Sequence, residues 1–306
     1  MKGKIKMKVW GCWPQPVEII GSTAIEAMLM EAACAPAPGL VDRFNSGAHQ
    51  DMDFFTFIKS SSVLGHYMYY CAMAGWKHSG SSQELLPELR IIGRQAEKSM
   101  LIATDGVNTQ KGLLFLMGMM TAASSRVWKI GITKSVAEEI LQEAAKICKG
   151  IVDRELKSLN DKILKRRLTA GEKLFLKYGI TGIRGEIEAG LPLVKNVGLP
   201  YFREAIESGL TLNDALVHSL IAIMSEVSDT TVLNRHSLAT LTELQETAKT
   251  ILKVGGMKTE LGRKKIEELD QAYIKRKISP GGAADLLAIV YFVYSLEERF
   301  KFETLA

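Results

Sequence analysis

Four cysteines in 306 residues, at positions 12, 34, 71 and 148, stand far apart without a CxxC pair. This spacing excludes a disulfide framework and a thiolate zinc site, and it fits reduced thiols. No run of about 18 apolar residues occurs, so no segment is expected to span a membrane. The opening MKGKIKMKVWGCW is basic but lacks the apolar stretch of a signal peptide. Charge of one sign is also scarce: 39 Lys and Arg stand against 34 Asp and Glu, a formal charge of +5. That balance suits a polyanionic small molecule and is too mild to argue for nucleic acid. HExxH, a Ser/His/Asp order and the GxxxxGK[ST] loop are missing, which removes the commonest hydrolase and nucleotidase signatures. The expectation is a soluble cytoplasmic protein that engages neither membrane nor nucleic acid.

Strand patterns are nearly absent. Only KIKMKVW (4–10) alternates, so residues 1–16 read as a tail or short strand. Apolar residues otherwise recur at three- and four-residue spacing. The pattern predicts helices over 17–34, 53–75, 83–103, 111–127, 134–158, 211–227, 237–254, 258–276 and 282–301. Start signals agree: Ser81–Glu84 and Thr169–Glu172 have capping-box spacing, and Thr211–Asp214 is a shorter-armed version. There is no repeat, low-complexity tract or Pro/Gly/Ser-rich linker. With 47% hydrophobic residues, the predicted fold class is all-α: a single large multi-helix domain over 17–306, its site formed by glycine-bearing loops at helix ends.

Five breaks combine glycine with carboxylate, amide, hydroxyl or cationic groups: APGLVDRFNSGAHQDMD, ATDGVNTQKG, GITGIRGEIEAGLP, SDTTVLNRHS and ISPGGAADLLA. Linkers need glycine for helix C-caps but not this repeated chemistry. Convergence of the breaks on one face would build a site between helices. In the first, Asn45, His49, Asp51 and Asp53 surround a glycine. The carboxylates suit magnesium, while one of them can instead cap the next helix. In the second, Asn108, Thr109 and Lys111 lie between two glycines at a helix start, a setting that favours an anion. Arg184 and Glu186 form either part of a site or an exposed pair. Asp229, at a helix C-terminus, needs a cation or donor, and Arg235 is one. Asp285, on an otherwise apolar segment, reads as a dipole partner or as a metal or ligand group. The remaining histidines and the methionines of LLFLMGMMTAA read as core or surface residues.

Taken together, these stretches resemble one family, the triphosphoribosyl-dephospho-coenzyme A synthases. PGLVDRFNSGAHQDMDFFTF, LRIIGRQAEKSMLIATDGVNTQKG, GIRGEIEAGLP, SDTTVLNR and SPGGAADLLA occur in the family's order across roughly 26–295. The chain departs from the family's usual residues at Ala37 (lysine), Asp105 (glycine) and Gln110 (histidine), and near His236, where the family usually has a glycine.

The resemblance implies an enzyme that transfers the triphosphoribosyl group of ATP to the 2'-hydroxyl of 3'-dephospho-CoA with release of adenine. The product is a prosthetic-group precursor for the acyl carrier subunit of citrate lyase or malonate decarboxylase. Positive charge develops on ribose as the C–N bond breaks, so carboxylates are wanted as stabiliser and base. Glu186 is the first candidate and Glu31 the second. The retained triphosphate implies magnesium, with Asp51, Asp229 and Asp285 as metal candidates. Asn45, His49, Asn108, Thr109, Lys111, Arg184, Arg235, Gly281 and Gly282 are the nucleotide- and phosphate-binding candidates. A homodimer is compatible with this reading. Two alternatives stay open: a metal-dependent N-glycoside hydrolase and a non-catalytic nucleotide-binding helical protein.

Overall fold

The computed structural model describes residues 13–133, 135–161 and 168–303. Among the described residues there is no strand. The helices run α1 (Gln15–Ala33), α2 (Phe54–Lys77), α3 (Leu86–Ala103), α4 (Lys111–Ile130), α5 (Val136–Cys148), α6 (Ile151–Glu155), α7 (Ala170–Tyr178), α8 (Gly182–Glu188), α9 (Leu199–Glu207), α10 (Leu212–Met224), α11 (Thr230–Arg235), α12 (Leu238–Lys253), α13 (Glu260–Arg276) and α14 (Gly281–Glu303). None is long and apolar enough to cross a membrane. The predicted strand at 4–10 and Cys12 lie outside the described residues, and the other three cysteines are free and buried.

The long helices form where the apolar spacing places them. α4, α10 and α14 are apolar on nearly every side, and such helices belong at the centre of a bundle. Leu116, Met117, Met120 and Ala123 of α4 are fully buried, as are Leu287, Ile289, Val290, Phe292 and Val293 of α14. α1 and α2 pack on this centre from one side and α10 from another. Small residues set the spacing: a Cβ at Gly75 of α2 would sit 2.2 Å from the carbonyl oxygen of Ala122 in α4.

Caps follow the sequence closely. Ser81 and Thr169 make capping boxes with Glu84 and Glu172, and Thr211 accepts from the Asp214 amide at 3.2 Å. The expected helix over 134–158 is divided. Gly150 adopts φ +77°, and the Glu188 carboxylate accepts from the Gly150 and Val152 amides, starting α6 afresh. α7 and α9 are additional helices, and two expected breaks contain helices of their own, α8 and α11. Both are too short to show an apolar period: Asp229 caps α11, whereas α8 has no side-chain cap and is held by packing on α5 and α6.

Candidate active site

Two clefts lie back to back against the start of α14. The first, of about 170 Å³, is walled by the starts of α4 and α14, by α11, by Glu31 near the end of α1, and by the loop before α2. The second, of about 550 Å³, is walled by the α7–α8 turn and α8, by Pro192 and Leu193, by Val227–Thr230, and by Gly282 and Leu286. Consecutive residues face opposite ways: Thr231 and Gly281 line the first cleft, Thr230 and Gly282 the second. The partition between them is therefore one backbone thick.

The loop before α2 is bound to itself before it offers anything to a ligand. Asp42 accepts from the amides of Phe44 (2.7 Å) and Asn45 (3.0 Å), Asn45 Oδ1 accepts from the Gly47 amide at 2.7 Å, and Asp270 accepts from the Gly39 amide at 2.9 Å. Gly39 has φ +72°, and a Cβ there would lie 2.0 Å from the Ile278 carbonyl oxygen, so only glycine fits. This scaffold carries His49 into the first cleft, its Nε2 3.0 Å from Ser279 Oγ. Burial, then the charge of Arg235, hold His49 below the usual histidine range, against a smaller pull from Asp51. It is a neutral imidazole at neutral pH.

On the opposite wall, Asn108 Oδ1 accepts from the Lys111 amide at 3.2 Å and opens α4. Thr109 donates to Ser60 Oγ (2.7 Å), which donates to Gln110 Oε1 (3.0 Å). The Gln110 amide nitrogen, buried, has no hydrogen-bond partner. Lys111 Nζ lies 2.5 Å from Glu97. Asp105 takes φ +52°, a left-handed turn that aspartate tolerates better than most residues.

The centre of this cleft is a pair of acids. Asp285, on the first turns of α14, accepts from the Leu113 amide at the start of α4. A Cβ on Gly112 would sit 2.1 Å from Asp285 Oδ2, so that glycine makes room for the carboxylate. Glu31 is buried, and burial pushes its carboxyl up to about 8. Asp285 is raised well above the carboxylate range by burial first, then by the charges of Glu31 and Asp229. Neither makes an ion pair among the described residues. Arg235, Lys111 and His49 ring them from the walls.

In the second cleft Glu186 is half-buried, accepts from the Leu193 amide at 2.7 Å, and is raised by burial. Asp229 is fully buried in the partition. Its Oδ1 accepts from the amides of Thr231 (2.8 Å) and Val232 (3.0 Å), and its Oδ2 from Ala283 at 3.0 Å, with Gly282 also donating. One carboxylate thus caps both α11 and α14.

Several predicted site residues are placed together. Glu31, His49, Asn108, Thr109, Lys111, Arg235, Gly281 and Asp285 line the first cleft. Glu186, Asp229 and Gly282 line the second. Others are corrected. Asp51, Asp229 and Asp285 do not form one metal set: Asp51 has 64% of its side chain exposed and sits 3.6 Å from His49 Nδ1, and the Asp229 oxygens are spent on backbone amides. Those amides, and not Arg235, compensate Asp229. Arg184 lines neither cleft, because α8 turns it toward Glu155 at 2.8 Å, on which Arg90 also closes. Asn45 staples its loop, and Asp53 caps α2. Among the described residues no group of three or more His, Cys, Asp or Glu could hold a metal. Ser279, Thr231 and Gln110 also line the first cleft; all three lie within the glycine-bearing motifs, and the sequence marks only Gln110 among them, as a departure from the family's usual histidine.

Residues 18–304 match the family described as CitG: ATP:dephospho-CoA triphosphoribosyl transferase. The chain belongs to that family. Similar proteins carry the name probable 2-(5''-triphosphoribosyl)-3'-dephosphocoenzyme-A synthase. That of Vibrio cholerae is 37% identical over 284 residues, covering 92% of this chain and 90% of the relative. That of Malonomonas rubra is 40% identical over 291 residues, covering 92% and 89%. That of Photobacterium profundum is 35% identical over 283 residues, covering 92% and 88%. No solved structure matches. Within this triphosphoribosyl transferase family, the chain's alanine at position 37 is buried, in the loop that Asp42 organises.

The double cap gives a direct expectation. Asp229→Ala leaves several buried amides without acceptors and should lower stability by about 2–4 kcal/mol, read from urea unfolding. A loss under about 0.5 kcal/mol would show that water or neighbouring groups satisfy the amides.

Proposed function

We propose that the chain transfers the triphosphoribosyl group of ATP to the 2'-hydroxyl of 3'-dephospho-CoA, releasing adenine and giving 2'-(5''-triphosphoribosyl)-3'-dephospho-CoA. The observation that carries this reading, within the family, is the Glu31–Asp285 pair set among helix starts and cationic side chains in the first cleft. Two acids held together without a counter-cation are costly, and a divalent ion on a polyphosphate removes that cost. Magnesium is commonly held by one or two carboxylates, with substrate phosphates and water completing its shell. The pair fits that donor set, so Glu31 and Asp285 would hold the ion, whose chemistry is to neutralise and fix the triphosphate.

The chain's own groups do the rest. Lys111 and Arg235, beside Gly112 and Gly281 at the starts of α4 and α14, bind the phosphates. Neutral His49, fixed by Ser279, offers a hydrogen bond without adding a charge. In the reaction the glycosidic bond from ribose C1' to adenine breaks and a bond from C1' to the acceptor 2'-oxygen forms. The electron pair of the broken bond leaves with adenine, and the acceptor hydroxyl gives up its proton. Glu186, raised by burial in the adjoining cleft, is the group proposed to take that proton. Both clefts are built within one copy, so a homodimer is not needed to complete the site. The product would serve as precursor of the prosthetic group on the acyl carrier subunit of a lyase or decarboxylase.

The test is incubation with ATP and magnesium, with and without dephospho-CoA, followed by chromatography for adenine. Acceptor-dependent adenine release is expected. Release without acceptor would establish a hydrolase, and no release would leave a binding protein.

A further inference from the structure

The two clefts differ in charge as well as in place. Lys111 and Arg235 line the first, around the acids Glu31 and Asp285. The second has no lysine or arginine in its lining and carries Glu186, Glu226 and the buried Asp229 instead. A phosphate would enter that acidic space at a Coulombic cost, since no lysine or arginine lines it and Lys249, 4.0 Å from Glu226, is already paired. Its apolar surface comes from Ile180, Ile183, Pro192, Leu193, Val227 and Leu286. At about 550 Å³ it lies in the size range of ordinary ligand pockets. The occupant it suits is uncharged, part alkyl, and rich in hydrogen-bond donors that carboxylates can accept.

From this we infer that the second cleft is the acceptor's subsite and holds the pantetheine arm of dephospho-CoA. The inference rests on the transfer reading above. Among the uncharged parts of ATP and dephospho-CoA, the adenines, the riboses and the pantetheine arm, only the arm is part alkyl: a chain of two amides, a gem-dimethyl carbinol and a thiol. The amide N–H groups and hydroxyl have an acceptor in Glu226, and the methyl and methylene groups have the isoleucines and Leu193. The charged parts of both substrates then belong to the first cleft and its rim. The partition between the clefts has glycine at Gly281 and Gly282, where a Cβ would approach Thr231 Oγ1 to 3.1 Å and Asp229 Oδ2 to 3.0 Å. The acceptor 2'-hydroxyl and the ribose C1' would therefore meet at the rim of this partition, and Gly281→Ala or Gly282→Ala would thicken it only by pushing against those side chains.

The experiment measures binding to the full chain by calorimetry. Dephospho-CoA, magnesium with ATP, and 4'-phosphopantetheine (the arm without its nucleoside) are titrated separately and in competition. In the unaltered protein, 4'-phosphopantetheine should compete with dephospho-CoA and leave ATP affinity unchanged. Ile183→Trp and Ile180→Trp, which fill the cleft from half-buried positions, should weaken dephospho-CoA at least tenfold while ATP binding stays within twofold. Retained ATP binding also shows that each variant has folded. Unchanged dephospho-CoA affinity in the folded variants, or competition by 4'-phosphopantetheine against ATP, would overturn the assignment. Should neither variant fold, absence of competition at millimolar 4'-phosphopantetheine in the unaltered protein overturns it alone. Failure of the transfer reading is separate: it appears as no acceptor-dependent adenine release, whatever the binding results.

Discussion

Asp285→Asn and Glu31→Gln should each cut acceptor-dependent adenine release by on the order of a hundredfold or more, and weaken magnesium-dependent ATP binding. Each change removes one hard anionic oxygen while nearly keeping shape, and the Asp285→Asn side chain retains an oxygen for the Leu113 amide. The same variants should be more stable than the unaltered protein when magnesium is absent. A carboxyl whose folded value is raised binds its proton more tightly in the native than in the unfolded state. Native stability is then greatest below the unfolded value near 4.5 and falls as pH rises toward the folded value of about 8 for Glu31. By pH 8 the Glu31 penalty is roughly 4 kcal/mol. Thermal unfolding of metal-free protein should therefore show a midpoint that drops between pH 5 and 8, and Glu31→Gln should flatten that slope. A pair that serves only structure would behave the other way, with variants less stable and ATP binding unaltered.

Stability gained where activity is lost marks a site kept in tension by its ligand requirement. The sequence pointed to Asp285 because an acid stood in AADLLAIVYF, a segment otherwise apolar enough to be central. It said less about Glu31, whose helix shows no local reason for a buried acid. The two meet because α1 and α14 pack side by side, a contact between chain ends that no local spacing encodes.

The same distinction divides the rest. Long helices were legible because ten or more residues are enough to display a 3.6-residue stripe. α8 and α11 were hidden because neither completes two turns, and α11 depends on Asp229, whose oxygens also cap α14. The sequence offered Asp51 and Asp53 for two roles, a ligand group and the cap of the next helix. Which of them caps α2 was settled by geometry: Asp53 accepts from the Thr56 amide at 2.8 Å. Arg184 sat in a glycine-bearing motif beside Glu186, yet the direction of a helical side chain turns with every residue. Glu186 faces the second cleft while Arg184 reaches Glu155. Motif membership located the neighbourhood, and helix direction decided who lines it.

Glu186→Gln should lower turnover far more than it changes the affinity for either substrate. The replacement keeps an oxygen for the Leu193 amide, which Glu186 now holds at 2.7 Å, so the α8–Leu193 contact survives. What is lost is the capacity to take a proton and to oppose positive charge developing at ribose, interactions made in the transition state alone. A fall in kcat of about a hundredfold or more with KM values near normal is the expected pattern. Burial raises the Glu186 carboxyl above the ordinary range, so the ionised base should be regained as pH rises through that raised value. The unaltered enzyme should accordingly gain kcat as pH rises through that raised value, and Glu186→Gln should lose that limb. If Glu186 instead only binds the acceptor arm, the substitution should raise the KM for dephospho-CoA and leave kcat and its pH profile in place. Steady-state adenine release across pH distinguishes these two roles, and a normal kcat would remove Glu186 from the base assignment.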